Sequence, residues 1–144
     1  MVNQTKSTQH KDINEIVRKW HLVDLKNKIL GREASNISFL LQGKNRSDYS
    51  PFLDTGDYVV AINSKHIKIT GNKKNSKEYL SYSGYPGGLK IKSYKEMLAK
   101  NPNNIIKIAV SGMLPKNKLR KKRLIRLFIF PESEHNYAKE IASN

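Results

Sequence analysis

Cysteine is absent from this 144-residue chain. That absence excludes thiol catalysis, disulfide staples and cysteine-built zinc sites together, and it suits a reducing compartment. No apolar run approaches the roughly 20 residues needed to span a bilayer. Tryptophan occurs once, as Trp20 in a short strand-like run. A membrane-surface helix would instead carry Trp, Phe and Leu along one face of a basic amphipathic stretch. The glycine-rich nucleotide cradles, G-x-x-x-x-G-K-[ST] and G-x-G-x-x-G, are missing. The histidines His10, His21, His66 and His135 are scattered, with no pair at ligand spacing, so no metal site is expected. Neither a cofactor nor a small-molecule substrate is expected.

Acidic residues are also scarce: 12 Asp and Glu face 27 Lys and Arg, a net charge of +15. The isoelectric point is near 10.0 and the mean hydropathy is −0.64. With 38% hydrophobic residues the chain can build one domain with a modest core. That much like charge in one compact body repels itself unless a polyanion neutralises it, and nucleic acid is the commonest such partner.

Hydrophobic spacing orders the chain. Met1 to Lys11 is polar and has no apolar core of a secretory signal, so it reads as a flexible extension. Trp20–Asp24 is a short strand. Arg32 to Gln42 sets Ala34, Ile37 and Leu41 at helical intervals and stops at Gly43. Tyr58–Ile62 is a continuous β-branched run suited to a strand buried on both faces. Ile67–Thr70 alternates like a half-exposed strand, Asn72–Lys77 reads as a basic loop, and Tyr79–Tyr82 is ambiguous. Ser83–Gly88 is too rich in glycine and proline for regular structure. Ser93 and Glu96 have the spacing of a capping box that opens a short helix stopped by Pro102. Ile105, Ile106, Ala109, Val110 and Met113 mark a second helix ending at Gly112 and Pro115. Asn117 is placed to cap a third through Leu124, Leu127–Phe130 is a final strand, and the tail after Pro131 is polar. Strands alternating with helices point to an α/β domain with a largely parallel sheet.

Basic residues gather in three places. Lys44 and Arg46 follow the first helix, Lys73, Lys74 and Lys77 occupy a loop, and Lys116, Lys118, Arg120, Lys121, Lys122, Arg123 and Arg126 lie within one short stretch read as a helix. On that helix Lys116, Arg120 and Arg123 share one side by spacing. Like charges at i,i+4 destabilise a helix by about 0.2–0.5 kcal/mol per pair, so phosphates around it would order it. A solvated surface helix is the plain alternative, but three clusters with this net charge favour nucleic acid. Tyr79, Tyr82 and Tyr85 bracket the glycine turn, where a tyrosine can stack on an unpaired base and glycine admits a close backbone. Core packing and a tight turn are the competing roles. No helix-turn-helix, zinc finger or aromatic RNA-binding sheet signature appears. Asp54-Thr55-Gly56 looks like an aspartic-protease motif, yet that chemistry needs two carboxylates and only one copy is present. A homodimeric protease is the rival enzyme reading; the more economical role for Asp54 is to cap or turn the chain before the Tyr58 strand.

The ordered tracts Trp20–Asp24, Leu30–Arg32 with Ala34, Gly43-Lys44, Tyr49, Pro51, Asp54–Asp57, Asn63, Thr70–Lys73, Ser83-Gly84, Gly87–Lys90, Gly112–Lys116 and Glu134-His135 carry a family pattern. Gly112-Met-Leu-Pro-Lys116 is its most specific piece. The chain resembles the universal large-subunit ribosomal protein family numbered thirteen in the bacterial scheme, over roughly residues 19 to 138. The resemblance implies a three-layer α/β/α domain over 19–138 with a central mainly parallel sheet, flanked by extensions 1–18 and 139–144. It implies large-subunit rRNA and neighbouring large-subunit proteins as partners, early subunit assembly as the role, and no enzymatic activity. A bacterial cytoplasm or an organelle derived from bacteria is the expected location. The residues expected at RNA are Lys44, Arg46, Lys73, Lys74, Lys77, Tyr82, Gly84, Gly87, Gly88, Lys90, Lys116, Lys118, Arg120, Lys121, Lys122 and Arg123. The chain departs from its relatives after Lys116, where Asn117–Arg123 replaces a Leu-Gly-Arg segment, and in the tail after Ala138.

Overall fold

The computed structural model describes residues 15–143. The flexible extension read over residues 1–18 therefore falls largely outside the described residues. Of its last residues, Ile16 is buried and Arg18 donates to the backbone carbonyl of Asp54.

Three strands, β1 (Trp20–Asp24), β2 (Tyr58–Ile62) and β5 (Leu127–Ile129), form one parallel sheet in the order β1-β2-β5. Trp20 lies opposite Tyr58, and Val60 opposite Phe128. Central β2 buries Val59, Val60 and Ala61 completely, as its β-branched run requires of a strand covered on both faces. Side chains alternate along each strand, so the register sorts them into two faces. Val23, Val59, Ala61, Leu127 and Ile129 meet the main core, which is completed by helices α1 (Leu30–Gln42), α3 (Tyr94–Lys100) and α4 (Pro102–Met113). Ile37, Leu41, Ile105, Ile106 and Val110 are its fully buried helical members. Trp20, Tyr58 and Phe128 face the other way, with Trp20 stacked on Tyr58, Phe128 and Tyr137, beside the short helix α6 (Ala138–Ala142), which packs on β1. The result is the α/β/α arrangement that the sequence implies.

Local chemistry sets the helix ends. Helix α1 begins two residues before Arg32, with no side-chain cap. Its first turn is held instead by the backbone: Leu30 donates to the Lys68 carbonyl at 2.8 Å and Lys68 to Lys28 at 2.9 Å. It ends on Gly43, whose left-handed φ of 76° is the usual helix stop. The capping box at Ser93 and Glu96 forms as expected. Pro102 does more than stop α3: it is the first residue of α4, where its missing N–H goes unnoticed, and the Asn101 side chain caps that helix.

Four local expectations are corrected. Ile67–Thr70 is not a strand; it makes one isolated bridge, Lys68 to Ile29. A 3-10 turn at Ser64–His66 delivers the chain there and Gly71, at φ 67°, turns it away, leaving room for a single pairing. Its alternation survives only as burial of Ile67 and partial burial of Ile69. The basic loop contains one exposed helical turn, α2 (Lys73–Ser76). Strand β3 (Glu78–Tyr82) pairs antiparallel with β4 (Leu89–Ser93), an element announced by the alternation Leu89-Lys90-Ile91-Lys92 that the periodic reading passed over. Finally, Lys118 rather than Asn117 stands at the start of α5 (Leu119–Ile125); Asn117 contributes only its carbonyl, to Arg120 N–H.

Candidate nucleic-acid interface

The β3–β4 hairpin carries the first basic surface. Lys73 and Lys74 stand exposed on α2, and Lys77 Nζ sits 5.4 Å from the centre of the Tyr79 ring. The pairing of Tyr79 with Lys92 and of Ser81 with Lys90 puts both lysines on the same face of the hairpin. Lys92 belongs with this set although the charge clusters in the sequence did not single it out. Tyr82 is 65% exposed near the tip. At the tip Gly84 and Gly87 adopt φ of 89° and 72°, conformations that require glycine. A Cβ on Gly88 would stand 2.0 Å from Ser83 Oγ and 2.9 Å from the Tyr85 carbonyl oxygen, so a larger residue there makes Ser83 and the turn shift.

Helix α5 divides its cations. Lys116, Lys118, Lys121 and Lys122 are exposed. Arg120 donates to Ser111 Oγ at 2.6 Å, which ties α5 to α4. Arg123 is only 1% exposed, with Nε 3.7 Å from Asp54. Arg126, just past the helix, gives both terminal nitrogens to Asp54 at 2.6 and 2.5 Å. Asp54 thus neither caps nor catalyses; its carboxylate is consumed by arginine. Leu119 and Arg123 lie four residues apart and share the inward stripe, a spacing that charge counting overlooks.

After α1, Lys44 is exposed but Arg46 turns inward. Its guanidinium pairs with Asp48 at 2.9 and 3.1 Å, reaches Asp57 at 3.4 Å and donates to the Val17 carbonyl at 2.6 Å. Asp57 is fully buried and collects His21 Nε2 at 2.9 Å, the Lys19 N–H at 3.1 Å and Asn45 at 3.3 Å. Burial opposes its ionisation, but the hydrogen bonds from His21, Lys19 and Asn45 outweigh burial and hold the carboxyl below its ordinary value.

Several acids are therefore engaged by neighbouring groups, some inside the fold and some at its surface, while the lysines of the clusters stand mostly exposed. Asp24 accepts from Asn63 and the Lys26 N–H, Glu33 meets Lys28, Asp48 meets Arg46, Asp54 meets Arg126 and Glu132 meets Lys65. Among the described residues, Lys44, Lys73, Lys74, Lys90, Lys116, Lys118, Lys121 and Lys122 have no carboxylate partner. No group of His, Cys, Asp and Glu among those residues could hold a metal ion, and no helix is long and apolar enough to cross a membrane.

An α/β body with a net charge of +15 and exposed lysines that meet no carboxylate defines a basic scaffold protein. The model of the family described as Ribosomal protein L13 matches residues 18–136, and the chain belongs to that family. The chain is 46% identical over 134 residues to the large ribosomal subunit protein uL13 of Syntrophotalea carbinolica, covering 93% of this chain and 94% of that one. It is 47% identical over 125 residues to the protein of the same name from Lachnoclostridium phytofermentans, covering 87% of each. To that of Solibacter usitatus it is 43% identical over 134 residues, covering 93% and 94%. The family is structural and non-enzymatic, which disposes of the protease reading of Asp54.

Proposed function

We propose that this chain is a structural constituent of the large ribosomal subunit that binds large-subunit rRNA and supports early subunit assembly. One observation carries the binding reading: the carboxylates of Asp48, Asp54 and Asp57 are held in internal pairs while unpaired lysines stand on α2, the β3–β4 hairpin and α5. Charges held apart on separate elements of one rigid body can neutralise phosphates from separate RNA segments and fix their relative positions. The hairpin tip adds Tyr82 for stacking and Gly84, Gly87 and Gly88 for close approach of an RNA backbone. Lys44, Lys73, Lys74, Lys77, Lys90, Lys116, Lys118, Lys121 and Lys122 form the phosphate set. Arg46, Arg120 and Arg123 hold the elements that carry it. Residues 19–138 are the RNA-binding domain, with 1–18 and 139–144 as its extensions. Neighbouring large-subunit proteins are its other partners, in a bacterial or organellar ribosome.

The test is a titration of protein-free large-subunit rRNA across a salt series. With about six phosphate contacts, affinity falls on the order of a thousandfold between 50 and 200 mM salt. Replacing Lys116, Lys118, Lys121 and Lys122 together by Gln lowers the salt slope by roughly 3. A complex insensitive to salt would contradict this reading.

A further inference from the structure

The surroundings of Asp54 hold more positive charge than one carboxylate answers. Arg126 engages both of its oxygens, Arg18 Nη2 takes its backbone carbonyl at 3.0 Å, and Arg123 stands behind at 3.7 Å without a hydrogen bond at Nε. Three guanidiniums share a single acid. Nε of Arg18, Nε of Arg126, and both Nε and Nη2 of Arg123 are buried donors with no acceptor. Asp54 can neutralise only one of the three guanidiniums, so the excess positive charge favours an anion arriving from outside.

A cleft of about 440 Å³ opens beside this cluster, within the range of small-ligand sites. Its lining includes Arg18, Lys122 and Arg126 around the single carboxylate of Asp54, together with Phe52, Tyr58 and Phe128. Tyr58 and Phe128 belong to the aromatic ladder on the sheet's second face: Tyr58 lies 4.4 Å from Trp20 at 13°, and Phe128 lies 4.4 Å from Tyr137. Cations and planar rings in one cleft match a ligand that joins a phosphate to a flat aromatic group.

We propose that this cleft takes one nucleotide of an unpaired RNA segment, with its phosphate on Arg18, Lys122 and Arg126 and its base against Phe52 and the aromatic ladder. The inference rests on the RNA-binding reading and assigns it a specific pocket. Guanidinium groups recognise phosphate by charge-assisted hydrogen bonds, and base stacking on aromatic rings tolerates any sequence. RNA suits the site better than a free nucleotide because Lys122 continues into the exposed lysines of α5, which can follow the neighbouring phosphates.

The experiment uses the full chain at low salt, a labelled single-stranded RNA hexamer for affinity, and the Nε–H NMR signals of Arg18 and Arg126 for location. Added hexamer shifts both signals. Phe52→Ala, at a position 60% exposed, weakens hexamer binding at least fivefold. Lys122→Gln weakens it more than Lys121→Gln on the same helix. If inorganic phosphate alone moves the same signals and Phe52→Ala has no effect, the site holds an adventitious ion only and the inference fails. If a mononucleotide binds as tightly as the hexamer, the RNA assignment fails. Should the hexamer bind while Lys122→Gln matches Lys121→Gln and the arginine signals stay still, the pocket is wrong but RNA binding stands. If neither the hexamer nor large-subunit rRNA binds the wild-type chain, both readings fall.

Discussion

Asp57 shows how a basic protein uses its few acids. It is fully buried and is held by His21, Lys19, Asn45 and Arg46. Asp57→Ala removes the buried acceptor shared by His21, the Lys19 N–H and Asn45 and should lower stability by about 3 kcal/mol in chemical denaturation. Because the folded carboxyl titrates below its unfolded value of about 3.9, its contribution is fully present above that pH. It is lost as pH falls through the lower folded value. Asp57→Asn should therefore flatten the acid limb of stability against pH, and an unchanged limb would deny Asp57 this role. Gly56 is the second sensitive residue: an added Cβ would lie 1.8 Å from the Leu41 carbonyl oxygen. Backbone must move to admit it, so Gly56→Ala should destabilise by about 3 kcal/mol or more, at the upper end of single-residue effects. The Asp-Thr-Gly tract that looks like a protease motif is thus explained by an arginine lock and a close helix contact.

Elements with their own periodicity were readable in the sequence, and those depending on a distant partner were not. β2 could be read because a β-branched run fits only a strand covered on both sides, and α4 because its apolar residues recur at helical spacing. Ile67–Thr70 has the alternation of a strand, but whether a neighbouring backbone lies alongside is decided by the turns at Asn63 and Gly71. The capping box was legible because both of its partners are local; Ser93→Ala should remove about 1 kcal/mol, measurable as a lowered denaturation midpoint. The candidate interface divides the same way. Lysines at exposed loop and helix positions stay free, so charge counting found them. Arg46 and Arg123 were counted with them because composition does not record that Asp48, Asp54 and Asp57 return to meet them. Arg18 and Lys92 carried no cluster signal at all. On α5, changing Lys121 and Lys122 to Gln should leave unfolding within about 0.5 kcal/mol, as expected for surface positions, while weakening rRNA binding.

At the scale of the whole molecule, a charge of +15 sits on a body whose Asp48, Asp54 and Asp57 are already paired inside, so the excess is presented outward. Salt should then act in opposite directions on two properties. Screening relieves self-repulsion, raising the melting temperature of the free protein, while it weakens the hold on RNA. The α/β/α frame makes the second property useful by holding lysine surfaces at fixed separation. If this frame is fixed in the large ribosomal subunit through RNA contacts, sedimentation of the native protein with ribosomal particles decides it. The protein should travel with the large subunit in low salt and be progressively stripped as salt rises. A protein that stays at the top of the gradient in low salt, with intact large subunits below it, would rule that attachment out.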